Sequence, residues 1–110
     1  MDSSVESLRD AAFDLYTAAR EASEYEVAYH ALCAVLHAAE RIEDAETCRL
    51  VEVRANECRD WVDTRAPEHR LSSQSAKARG HESIFRQLAV MGESARLRIN
   101  AEAQKKKGRP

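Results

Sequence analysis

The 110 residues are 44% hydrophobic but only 5% aromatic, enough for one domain with a modest core and too few for two. Charged residues make up 33% and nearly cancel, to a net charge of -2, so overall charge favours neither nucleic acid nor an anionic membrane. Alanine dominates the apolar share and there are only three glycines and two prolines, a composition that predicts an all-α fold.

In chain order, the opening MDSSVESLRD is acidic and polar and lacks the basic-then-apolar pattern of a secretory leader. Ser3 or Ser4 can cap a first helix, with Glu6 favoured by the dipole in its first turn. Val5, Leu8, Ala12, Leu15 and Ala19 recur at helical steps and predict its buried stripe, widened by Phe13 and Tyr16. EASE reads as the turn, with Ser23 capping the next helix.

The second helix, over residues 24–42, is the most apolar. Tyr25, Ala28, Tyr29, Leu32, Val35, Leu36, Ala39 and Ile42 cover one side, and Val27, Ala31, Ala34 and Ala38 widen it. Such a helix is expected at the centre, with Leu32 and Val35 nearly fully buried. Its uncharged run, residues 27–39, is too short to span a bilayer. A third helix runs from Asp44, as cap, to Val62 or Asp63, along a seam of Cys48, Val51, Ala55, Cys58 and Val62 that Trp61 broadens. Pro67 ends it.

The fourth helix has two possible starts: a Ser72 or Ser73 cap, or the far side of Gly80. Ala78, His81, Ile84, Phe85, Leu88, Met91, Ala95 and Ile99 form its stripe, and Gly92 inside it predicts close packing or a bend. Unbroken over residues 73–100, it would span roughly 42 Å against ~28 Å for helix two and overhang its neighbours. Residues 103–110, basic and ending in Gly and Pro, are expected as a disordered tail on a single domain of residues 1–102. The expectation is a four-helix bundle or two antiparallel helical hairpins with a long C-terminal helix.

One short stretch has a family likeness. YTAAREASEYEVAYHAL resembles a tetratricopeptide helix pair across its turn, with Tyr25 and Ala28 at that motif's aromatic and small positions. The resemblance covers a single hairpin, Ser23 replaces the usual turn glycine, and nothing 34 residues later repeats the pattern. It implies a packed helical hairpin and no family membership.

Three constellations could carry chemistry. Glu26, His30, Cys33, His37 and Glu40 fall within an arc of roughly 80° on helix two. Glu26 with His30, or Cys33 with His37, has the spacing to share a metal ion. The two histidines are about 10.5 Å apart along the axis and cannot chelate one ion together. Asp10 and Asp14 could add ligands only if helix one turned them that way. The stripe reads first as a solvated face.

The segment of residues 65–82 gathers Arg65, Arg70, Lys77 and Arg79 with Ser72 and Ser73 at a helix start, the ingredients of an anion or phosphate site. The simpler reading is a connector whose serines cap the helix. Cys33 with His37, or Ser72 with His69, could be written as nucleophile and base, but neither has an implied orienting group or oxyanion hole. No residue is therefore assigned a catalytic or cofactor role.

Three cysteines, Cys33, Cys48 and Cys58, form no CxxC pair and suit a reducing cytoplasm. The expected function is a non-enzymatic helical interaction or assembly module, self-associating as a homodimer through Phe85, Leu88 and Met91, with a further protein partner allowed. Specific nucleic-acid or membrane binding is not expected. The alternative is a helical protein holding a metal ion or an anion.

Overall fold

The computed structural model describes residues 3–108, and no strand occurs among them. Five helices follow in order: α1 (Ser3–Glu21), α2 (Tyr25–Arg41), α3 (Ala45–Arg65), α4 (Ser73–Ala78) and α5 (Ile84–Lys107). α1 packs chiefly against α2 and α3 chiefly against α5, while α2 touches α3 and, more lightly, α5. The slab measures 55 × 28 × 17 Å across its Cα atoms.

Local chemistry sets the helix ends. α1 and α2 terminate in matching turns. Glu24 N–H donates to the Ala19 carbonyl at 2.9 Å and Ser23 N–H to that of Arg20 at 3.1 Å. Twenty residues on, Asp44 N–H donates to Ala39 at 2.8 Å and Glu43 N–H to Glu40 at 3.2 Å. Both are Schellman ends, whose left-handed position is usually glycine. Here Ser23 (φ 56°) and Glu43 (φ 55°) occupy it. Ser23 thus ends α1 instead of capping α2, whose N-cap is Glu24 with no side-chain bond. Asp44 is the expected cap of α3, accepting Thr47 N–H at 3.1 Å.

α2 occupies the centre as expected, with Leu32, Val35, Leu36, Ala28 and Ala39 fully buried. α1 is rotated from its expected setting. Tyr16 and Ala19 face the core with Ala12 and Phe13 beside it, while Leu8 is 65% and Leu15 52% exposed. The side chains that reach α3 select this rotation: Arg9 meets Asp44, Tyr16 meets Cys58, and Arg20 lies over Trp61.

Of the two possible starts, the long helix takes the one beyond Gly80, and residues 73–78 form a separate short helix. α4 ends at Ala78, with Gly80 (φ 76°) left-handed just beyond it and His81 N–H on the Ala76 carbonyl at 2.8 Å, and Ser83 caps α5 by accepting the Phe85 and Arg86 N–H groups. α5 then runs back along α3 in close contact. A Cβ on Gly92 would stand 2.9 Å from the Cys48 carbonyl oxygen and 3.2 Å from Glu52 N. The expected close packing at Gly92 therefore lies within the chain. Arg86 to Asn56 at 3.2 Å and Arg96 to Glu52 at 3.4 Å fix the same antiparallel register. Of residues 103–110, expected as a disordered tail, 103–107 are helical and 109–110 lie outside the described residues. Ala, Glu, Gln and Lys are strong helix formers, Lys105 pairs with Glu102 at 3.6 Å, and the last-turn lysines face the negative end of the dipole.

Glycine substitutions should act in opposite directions here. Gly92→Ala gains up to ~1 kcal/mol of helix propensity, but its methyl meets backbone that cannot rotate away, an overpacking cost of ~1–3 kcal/mol. It should lower Tm, whereas Ser94→Ala at an exposed site of α5 should not. Ser23→Gly and Glu43→Gly relieve left-handed strain and should each raise stability by about 0.5–1 kcal/mol. Thermal melts of the four variants check both signs.

Candidate functional site

The α2 stripe does not converge. Glu26 is ion-paired with Arg70 from the α3–α4 connector. His30 is exposed, its ring edge-on to Tyr29 at 5.2 Å. Cys33 is half-buried and packed against the core, one helical turn from Tyr29. His37 is exposed near Arg98, which donates to Glu40 at 3.0 Å. Among the described residues, no three His, Cys, Asp or Glu side chains gather as a metal-ligand set. Asp10 and Asp14 face the start of α3 instead of this stripe.

The connector of residues 65–82 binds a carboxylate of its own chain. Asp63 Oδ1 accepts Ser73 N–H at 2.7 Å and Oδ2 accepts the Ser73 hydroxyl at 2.7 Å. Ser72, fully buried, caps α4 by accepting Ser75 N–H at 3.1 Å and donates its hydroxyl to the Pro67 carbonyl at 2.6 Å. Its proton is thus directed away from His69, whose Nδ1 accepts Leu71 N–H at 3.1 Å. Arg79 donates to the Arg70 carbonyl at 2.9 Å. Arg65 and Lys77 are exposed. The serines and two of the basic groups are thus engaged within the fold.

Phe85 and Leu88, expected at an interface with another copy, are buried in the chain's own core; Met91 is 50% exposed. The difference follows from the break at Gly80, which turns the first part of α5 onto α2 and α3. Tyr29 meets Phe85 edge-on at 5.7 Å.

Two features emerge that sequence reasoning did not assemble. The first is a sealed cluster between α1 and α3. Tyr16 Oη lies 3.4 Å from Cys58 Sγ, and Arg20 donates to Tyr16 at 3.3 Å and stacks 4.5 Å over Trp61. Trp61 in turn meets Tyr25 at 4.4 Å, and Tyr25 meets His69 at 5.0 Å. Burial pushes the Cys58 thiol up, against hydrogen bonds from Tyr16 and Arg20. Burial likewise raises Cys33, and Cys48 to about 11 with help from Glu40 and Asp44. All three stay protonated near neutral pH, the opposite of an activated nucleophile.

The second is an open groove of about 590 Å³ between the first half of α1 and the start of α3. Phe13 and Leu50 contribute its apolar lining, with Arg9, Asp10, Asp14, Glu46 and Arg49 around them. Arg9 bridges Asp10 and Asp44, each at 2.9 Å, and Asp44 also accepts the Thr47 hydroxyl. Burial pushes Asp44 upward, but Thr47 and Arg9 outweigh it and hold the carboxyl below its usual 3.8. Arg9 offsets part of the groove's negative charge, and the lining still carries four carboxylates against two arginines on a shallow mixed surface.

No family model, curated protein or solved structure matches this chain.

Asp44 joins α1 to α3 and caps a helix, so Asp44→Ala should cost ~1 kcal/mol at pH 7. Its folded pKa lies below the unfolded value, so on acidification the unfolded state takes up the proton first. The charge contribution is whole above the ordinary 3.8 and is lost as pH falls through the folded value. Urea titrations at pH 7 and pH 3 should show the gap between wild type and Asp44→Ala shrinking at pH 3. A gap unchanged at pH 3 would remove the carboxylate from this role.

Proposed function

We propose that this chain is a non-enzymatic helical interaction or assembly module that works by self-association. The observation carrying this reading is the distribution of apolar side chains. The inside is closed, yet Leu8, Leu15, Val27, Val53, Val90, Met91 and Leu97 remain exposed on the helices. Apolar surface on well-formed helices is commonly closed by another protein surface, most simply by a second copy.

The condition of the polar groups adds support. Raised thiols, a Ser72 hydroxyl bonded to a backbone carbonyl, and carboxylates paired with arginines describe a scaffold more than a reaction centre. Three free cysteines fit a reducing cytoplasm. No helix is long and apolar enough to cross a membrane among the described residues. Holding a metal ion or anion is the weaker reading, because Glu26 and Ser73 already have partners in Arg70 and Asp63.

Sedimentation equilibrium from low micromolar to several hundred micromolar protein tests the proposal. The mass should rise from the 12.4 kDa chain toward twice that value. A chain that stays at 12.4 kDa throughout would contradict self-association.

A further inference from the structure

On α1, Leu8, Ala11, Leu15, Ala18 and Ala22 are all exposed and step by three and four residues, confining them to an arc of about 80°. Two of them are the leucines that the rotation of α1 leaves in solvent. On α2, Val27, at 40% exposure, and Ala34 form a parallel line. Each line lies across its helix from the side chains that reach inward: Arg9, Tyr16 and Arg20 on α1, Tyr25 and Tyr29 on α2. Both therefore face away from α3 and α5, as one apolar surface that runs roughly 21 Å along α1 and about 10 Å along α2.

The borders of this surface differ in charge. Asp10, Asp14 and Glu21, all exposed, edge the α1 line on its side away from α2, where Asp10 and Asp14 also rim the α1/α3 groove and Asp10 is paired with Arg9 at 2.9 Å. His30, His37 and Arg41, also exposed, edge the α2 line on its side away from α1. Counted from the α1–α2 turn, Asp10 stands about level with His37, and Asp14 between His30 and His37.

We infer that the outer face of the α1/α2 hairpin is the self-association surface, and that its occupant is the same face of a second copy, related by a two-fold axis along the helices. That axis keeps heights and exchanges borders. The acidic edge of each copy then meets the histidine and arginine edge of the other. It also lays α1 on α2 of the second copy, antiparallel, so every neighbour in the resulting four-helix layer runs antiparallel, the arrangement of up-and-down bundles. A two-fold across the helices would set Asp10 and Asp14 against themselves. Alternating Leu and Ala along α1 allows close approach without a gap. The exposed line on α5 fits less well, since Gln87 and Ser94 interrupt Val90 and Leu97.

The inference rests on the self-association reading, and its test separates the two. Leu15 is exposed, so Leu15→Glu should keep the helical spectrum and melting behaviour of a folded chain and sediment as monomer, with at least a tenfold weaker association. Met91→Glu should associate like wild type. Two chains with altered borders, Asp10→Lys with Asp14→Lys, and His30→Glu with His37→Glu, should each be monomeric alone and should associate when mixed. If wild type associates and Leu15→Glu associates equally, this surface is wrong while self-association stands. Loss of association in Met91→Glu alone would move the surface to α5. If wild type is monomeric throughout, both readings fall.

Discussion

The approach of α5 to α3 at Gly92 is the contact on which the remaining architecture depends. With no side chain at that position, the α5 backbone comes against the Cys48 carbonyl and the Glu52 amide, closer than any Cβ would permit. That proximity closes the core over Cys48, Val51 and Ala55 on one helix and Leu88, Ala89 and Ala95 on the other. It also holds α5 where Arg98 can reach Glu40 at the end of α2. A small aromatic content makes this solution necessary. A core built on alanine, valine and cysteine fills its volume only if helices approach closely, and small residues allow that approach.

Drawing α5 back onto α3 redistributes the apolar surface of the whole chain. The stripe that would have projected on a continuous C-terminal helix is consumed at Phe85 and Leu88, and α2 is enclosed by α1, α3 and α5. Apolar exposure then remains at Val53, Val90, Met91 and Leu97 on α3 and α5 and at Leu8, Leu15 and Val27 on the first hairpin, where the Tyr16, Arg20, Cys58 and Trp61 cluster fixes the rotation of α1 and turns Leu8 and Leu15 outward. Core packing and the proposed contact surface are linked through that rotation: the aromatic and cationic side chains that weld α1 to α3 also set which of its faces meets solvent.

Much of the helical layout was readable because it depends on local chemistry. The wide apolar arc of α2 announced its central position, Asp44 announced a cap, Pro67 a break, and Gly92 a close approach. What escaped depended on distant partners. The stripe on α1 could be drawn through Leu8 and Leu15 or through Tyr16 and Ala19, and only Cys58 and Trp61, some forty residues away, decide between them. Both helix starts considered near Ser72 and Gly80 exist, as ends of separate helices. The choice was hidden because Gly80 is one residue, and its left-handed conformation follows from the return path of α5. The basic groups of the connector resembled an anion site because Asp63, which binds Ser73, lies ten residues earlier on another helix.

Nuclear Overhauser spectroscopy at Gly92 tests the return of α5 most directly. If α5 lies against α3 as described, the Gly92 Hα protons should give strong cross-peaks to the Glu52 amide and to protons of Cys48. Residues 79–83 should at the same time lack the sequential pattern of a helix. Absence of those cross-peaks, together with unbroken helical connectivity from Ala78 to Ile84, would contradict the account. It would put the C-terminal stripe back on a single projecting helix.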